Sequence, residues 1–204
     1  MRANFLRSKV RKKFIRTTDS DHEYPTAGNI LDGQFAVDKP DTVWVADITY
    51  IRTGSGWLYL SAIMDLYARR IVGWSMSDRI DTKLVKDALG MALVQRGKIG
   101  ELLHHSDQGS QYCSYLYQKE LEKNGIVCSM SRRGNCWDNA CMESFFGSLK
   151  SEWIGDTRYA SREEAKINIF TYIEMFYNRQ RRHESLGYVT PVECEEQYEK
   201  DHVA

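Results

Sequence analysis

A chain of 204 residues with 42% hydrophobic content can bury one good core with appendages, but not two full domains. Lys and Arg balance Asp and Glu at 28 each, and this neutrality counts mildly against a nucleic-acid binder, which is often strongly basic. No window approaches 18 apolar residues and the N-terminus has no apolar signal core, so the expectation is a soluble, unexported, cytoplasmic protein without a membrane partner. The five cysteines, at positions 113, 128, 136, 141 and 194, are odd in number and form no close pairs with downstream His, so they read as reduced intracellular thiols.

The neutral average hides an asymmetry. Residues 1–18 carry seven Lys or Arg (Arg2, Arg7, Lys9, Arg11, Lys12, Lys13 and Arg16) and no acid, while the C-terminal dozen is acidic. Residues 1–40 read as a basic N-terminal arm or linker, with one short helix over 3–15 and Pro25, Gly28, Gly33 and Pro40 interrupting anything longer; a solvated terminus is the alternative reading of its charge. From Thr42 the pattern turns β-type: 42–52, 57–65 and 69–76 are rich in Val, Ile, Trp, Tyr and Leu and read as an antiparallel meander. Asp81 or Thr82 caps a helix to about Arg96, closed by Gly97. A strand over 101–105, a helix from about Tyr112 to Asn124 and a strand over 126–129 follow. A polar loop, 131–138, precedes a helix over 139–153, and Ser161 with Glu164 opens a further helix running to about Asn178. Three meander strands followed by αβαβα is the order of a ribonuclease H-like fold, a mixed five-stranded sheet with helices on both faces. The predicted organisation is an arm to residue 40, a core over 41–158, and over 159–204 a C-terminal helix and basic motif with an acidic tail, packed on the core.

Three acids stand out. Asp47 lies inside the strand-like run Val43-Trp44-Val45-Ala46-Asp47-Ile48-Thr49-Tyr50, where a carboxylate is costly unless paired or bound to a cation. Asp107 follows the fourth strand, at the end where such sheets present ligands. Thirty-five residues separate it from Glu143, which lies on a helix whose apolar stripe is Met142, Phe146, Leu149 and Trp153. A second stripe of Asn139, Glu143, Gly147 and Lys150 lies a quarter-turn away and suits a metal-bound phosphodiester, or else is an ordinary exposed face. Crowded carboxylates raise one another's pKa unless a cation intervenes, and hard oxygen donors point to Mg²⁺ or Mn²⁺, two ions in the arrangement that serves phosphoryl transfer. Asp65, Asp78, Asp81 and Asp138 have sufficient turn or cap explanations. Of the adjacent His104 and His105, which face opposite ways on a strand, at most His105 borders the site.

The runs Trp44-Val45-Ala46-Asp47-Ile48-Thr49-Tyr50, His105-Ser106-Asp107-Gln108-Gly109-Ser110-Gln111-Tyr112, Asn139-Ala140-Cys141-Met142-Glu143-Ser144-Phe145-Phe146-Gly147-Ser148-Leu149-Lys150 and Tyr177-Asn178-Arg179-Gln180-Arg181-Arg182-His183, in this order, resemble the integrase catalytic core of bacterial insertion-sequence transposases. More narrowly they are similar to the second-reading-frame product of two-frame elements related to retroviral integrases. The resemblance covers about residues 20–195. It implies that Asp47, Asp107 and Glu143 bind the metal and are catalytic, that Asn139 and Lys150 lie along the element-end DNA, and that Arg179, Arg182 and His183 form a basic motif. Charge would put that motif on phosphates, with a helix C-cap as the other reading. Arg132 and Arg133, in the loop before the Glu143 helix, join the candidate DNA contacts. The implied activity is cleavage at element ends by water, then attack of the freed 3′-hydroxyl on target DNA, by a homodimer or higher assembly in the bacterial nucleoid. A companion helix-turn-helix protein is a further expected partner, since the basic arm stands where the family's end-recognition segment would be; a truncated copy, or an inactive or regulatory DNA-binding remnant, is the alternative.

Overall fold

One long strand carries the architecture. In this computed structural model, which describes residues 22–97, 99–132 and 139–202, β1 (Val43–Thr53) turns back into β2 (Gly56–Asp65) and β2 into β3 (Arg70–Ser77), all antiparallel. Helix α1 (Thr82–Arg96) crosses to β4 (Leu103–Ser106), which pairs parallel with the other edge of β1. Helices α2 (Ser110–Cys113) and α3 (Tyr115–Lys123) then lead to β5 (Val127–Met130), parallel to β4. The strand order is β3-β2-β1-β4-β5, the mixed sheet expected of the ribonuclease H-like arrangement. Asp81 caps α1 by accepting from the Leu84 N–H at 3.0 Å, and Gly97 closes it with φ 70°, as expected. The helix expected from Tyr112 is instead two pieces. Ser114 is extended and its hydroxyl accepts from the Tyr117 N–H, so it starts α3 anew.

Alternation along the strands divides the core. On one face Val45, Ile51, Leu58, Leu60 and Ala62 pack against Met142, Phe145 and Leu149 of α4 (Ala140–Ser148) with its π-helical continuation Leu149–Ile154, and against Ala165, Ile169 and Tyr172 of α5 (Arg162–Phe170) with its continuation Thr171–Tyr177. On the other face Trp44, Ala46, Ile63 and Val72 meet Val85, Ala88, Leu89 and Ala92 of α1, and Tyr112, Tyr117 and Leu121 of α2 and α3. Both helices predicted over 139–153 and 161–178 are present, but each widens into π turns in its second half, a change of phase that apolar periodicity could not report.

Two segments depart from their readings. Residues 28–31, within the segment to residue 40 expected as a linker, lie against the exposed edge of β5: the Met130 N–H donates to Gly28 O, the Ile30 and Leu31 N–H groups donate to Ser129 Oγ, and Leu31 is buried in the core. An edge strand otherwise left open to pairing is thereby covered. The acidic tail is in fact a helix, α6 (Pro191–His202). Thr190 Oγ1 accepts from the Glu193 N–H while Glu193 Oε2 accepts from the Thr190 N–H, a capping box with Pro at the first helical position that the sequence carried and charge counting obscured. Buried Glu195 of α6 accepts from Arg70 and Arg96, and Arg96 also pairs with Asp41 and Asp65. Asp65, read as a turn residue, does accept from the Tyr67 N–H, yet it also accepts from the Asp41 N–H and Trp44 Nε1 and is fully buried.

The predicted helix over 3–15 and most of the polar loop lie outside the described residues. Among the described residues no helix is long and apolar enough to cross a membrane, and Cys113, Cys128, Cys141 and Cys194 are free thiols.

Candidate active site

Parallel pairing of β1 with β4 ends at Val45 and His105. Two residues further on stand Asp47, within β1, and Asp107, just past the end of β4, so a period of two puts both carboxylates toward the same face, where the two segments part. Asp47 Oδ1 accepts from its neighbouring Ile48 N–H at 2.7 Å. Asp107 Oδ1 accepts from the Gly109 N–H at 2.9 Å, which fixes the turn into α2. Glu143 reaches the same region from α4, exposed in its first turn. Burial raises the Asp47 pKa well above the carboxylate range, and the charges of Asp107 and Glu143 push it up too, against the opposing Ile48 N–H and Lys150 ammonium. The pKa of the Glu143 carboxyl is raised too, by partial desolvation at the surface of α4. Three elements far apart in sequence therefore converge on Asp47, which feels the charges of the other two acids, although among the described residues no three His, Cys, Asp or Glu side chains stand ready-clustered around an ion position.

The remaining candidates separate. Lys150 sits in the π turn beyond α4, its ammonium 4.6 Å from the centre of the Tyr50 ring; burial lowers its pKa while the Asp47 charge raises it. Asn139 does not share the exposed stripe. It precedes the helix in a non-helical conformation (φ −132°, ψ 32°), is buried, and its Nδ2 donates to Ala46 O at 3.2 Å. The 100° rule does not apply before the first helical turn, and the amide ties the Glu143 helix to the strand beside Asp47.

Arg132 pairs at the surface with Asp32 at 3.2 Å, while Arg133 lies outside the described residues. Arg179 and Arg182 are exposed. His183 is buried edge-on against Tyr177. Burial, and then the charges of Arg181 and Arg69, lower its pKa to about 4, so at neutral pH it carries no charge to offer a phosphate. The arginine between them, absent from the candidates, does the anchoring: Arg181 forks onto Glu152 with two 2.8 Å bonds and donates to Ser148 Oγ, joining the basic motif to the α4 continuation. Glu152 and Arg181 are twenty-nine positions apart, a separation no local pattern flags. The two histidines face opposite ways as expected. His104 accepts or donates to Tyr117 Oη at 3.0 Å, and His105 bridges Ser129 and Ser131 on the candidate-site face.

Residues 37–136 and 124–191 each match a family described as integrase core domain. An insertion element IS600 uncharacterized 31 kDa protein of Shigella sonnei is 49% identical over 193 residues, 95% of this chain and 71% of that protein. The transposase InsF for insertion sequence IS3fB of Escherichia coli K12 is 44% identical over 197 residues, 97% of this chain and 68% of that one. Among solved structures, the HTLV-2 integrase catalytic core domain in complex with magnesium superposes with a TM-score of 0.59 at 16% identity, covering 77% of this chain and 97% of that chain. The simian T-cell lymphotropic virus intasome gives 0.63 at 15% identity, over 87% of this chain and 60% of that chain.

Proposed function

This chain belongs to the insertion-sequence transposases that carry an integrase core domain, and on that premise we propose that Asp47, Asp107 and Glu143 are the catalytic carboxylates of its DNA transposition activity. The observation that carries the assignment is the Asp47 carboxyl, set mid-strand and pushed up in pKa by burial and by the charges of Asp107 and Glu143 arriving from two other elements. Such a cluster favours a cation over a proton once a divalent ion is supplied. The donors fit: three carboxylates are hard oxygen ligands of the kind Mg²⁺ and Mn²⁺ take. A divalent ion held there, or two, would supply the Lewis acidity that activates an attacking oxygen and stabilises a leaving one.

The chain's own residues do the rest. The Ile48 and Gly109 N–H groups hold the two aspartates in orientation. Asn139 holds the start of α4 against β1, which suits a positioning role better than the direct DNA contact expected from the helical stripe. Lys150, exposed beside Asp47, and Arg179 and Arg182 on the outer surface are available to DNA phosphates. In this reading the reaction is cleavage at element ends and joining of the 3′-hydroxyl to target DNA, which requires two ends and hence more than one copy of the chain on DNA in the bacterial cytoplasm.

The test is a labelled element-end duplex incubated with target plasmid and Mn²⁺ or Mg²⁺. Asp107→Asn is expected to lose metal-dependent cleavage at least a hundredfold with its far-UV spectrum unchanged; cleavage at the parental rate would overturn the triad. A pre-cut 3′-hydroxyl end should be joined to target, and hydrolysis without joining would make the protein a nuclease.

A further inference from the structure

The face of the sheet that α1 and α3 cover is not covered to its end. Trp44, Ala46 and Ile63 pack beneath those helices, but the last third of β1 and the first third of β2 run past them. There the register sets Tyr50 opposite Tyr59 and Arg52 opposite Trp57, so alternation brings two tyrosines, a tryptophan and an arginine onto one surface. Neither tyrosine belongs to either core cluster. The Tyr50 and Trp57 rings meet edge to face at 5.1 Å and 82°. Trp57 is 41% exposed. The hairpin below is held still: the Arg162 backbone N–H donates to Ser55 Oγ and its Nε donates to Trp57 O at 2.9 Å, while the Gly54 N–H donates to Tyr159 O.

A tryptophan and a tyrosine needed only for stability would be turned inward, and an apolar surface awaiting another protein would not be ringed by cations. Here exposed Arg52 stands beside Trp57, and the Lys150 ammonium lies over Tyr50. Tyr50 stands on the opposite face of β1 from Asp47, and Lys150 joins the two at the strand's edge: its ammonium lies 4.6 Å from the centre of the Tyr50 ring and its charge acts on Asp47. Rigid aromatic faces flanked by positive charge are what unpaired nucleic-acid bases stack on, whereas the bases of intact duplex present no open ring face.

We propose that Tyr50 and Trp57, flanked by Arg52 and Lys150, form a stacking platform for unpaired DNA bases adjoining the phosphodiester that is cut, an inference that rests on the DNA-cleaving reading above. The platform holds a splayed strand while the scissile bond stays at the carboxylates around the edge of β1, with Lys150 between the two. Because stacking ignores base identity, the platform contributes grip on opened DNA without sequence preference.

The test uses the whole chain in EDTA, so that nothing is cut, with an element-end duplex bearing a short single-stranded tail that contains 2-aminopurine, and a blunt duplex of the same sequence. Binding should quench the tail's fluorescence. Trp57→Ala should abolish the quench and weaken tailed DNA about tenfold, within the range that loss of one base–aromatic stack spans, while the blunt duplex binds within twofold; Trp57→Phe should restore most of both. A tail that stays bright on the parental protein, or a Trp57→Ala protein that weakens both DNAs equally or neither, overturns the platform. Asp107→Asn, run alongside, should quench normally. Cleavage without quenching refutes the platform alone, and quenching with Asp107-independent cleavage refutes the triad alone.

Discussion

At the scale of single residues, burial decides which titratable groups can carry charge. His183 and His104 are both neutral in the folded chain, their pKa values lowered to about 4 and about 3, in each case chiefly by burial. An unfolded imidazole titrates near 6.5. As pH falls through that value the unfolded state takes up protons that the folded state refuses. Stability is therefore fully present above about pH 6.5 and is lost progressively down to the folded-state values, a loss of about 2 kcal/mol per ring by pH 5. Urea denaturation at pH 7, 6 and 5 should report it, and His183→Gln should flatten that slope by about one proton. The same burial explains why a histidine within a basic sequence motif is not one of its charges: Arg-rich composition describes the neighbours, and only the Tyr177 ring and Arg181 fork reveal a neutral wall residue.

At the scale of elements, the close approach of α1 to β3 sets the second face of the core. A Cβ added at Gly73 would overlap the Ala88 carbonyl oxygen and lie 2.7 Å from the Ala92 side chain. Backbone and methyl cannot swing aside as a long side chain can, so Gly73→Ala should cost about 1–3 kcal/mol. Gly90, in the exposed interior of the same helix, has nothing within 4 Å, and Gly90→Ala should stabilise by about 0.5–1 kcal/mol. Thermal melts of the two variants should shift in opposite directions; equal shifts would contradict this packing. Gly73 was unremarkable in the sequence because its reason is a helix fifteen or more residues later.

At the scale of the whole molecule, the C-terminal helix is tied in by charge. Glu195 accepts from Arg70 at the start of β3 and from Arg96 at the end of α1, while Arg96 also reaches Asp41 and Asp65. Burial pushes the Asp65 carboxyl up to about 7 against the pull of the Asp41 N–H and Arg96. Removing one partner of such a buried network leaves the other charges uncompensated. Glu195→Ala should lower stability by about 2–3 kcal/mol, less than for a wholly buried pair because Arg96 keeps Asp41 and Asp65. Glu195→Gln should lose less, and a denaturation midpoint unchanged in both would exclude the network as a tie.

Periodicity, caps and turn residues are local, and what they specify was legible: the three-strand meander, Asp81 and Gly97 bounding α1, the Ser161 start of α5, and a carboxylate set in mid-strand. The order of elements was enough to give the sheet, because a strand run followed by βα units leaves few ways to bury every apolar face. Convergence is not local. That Val45 and His105 form the last pair before Asp47 and Asp107, that Asn139 grips Ala46 instead of facing outward, that Arg181 locks onto Glu152, and that Tyr50 and Trp57 emerge together beyond α1 all depend on sheet register and helix phase. Register and phase are settled only when the faces close on one another, since the free energy that selects them comes from packing between segments distant in the chain.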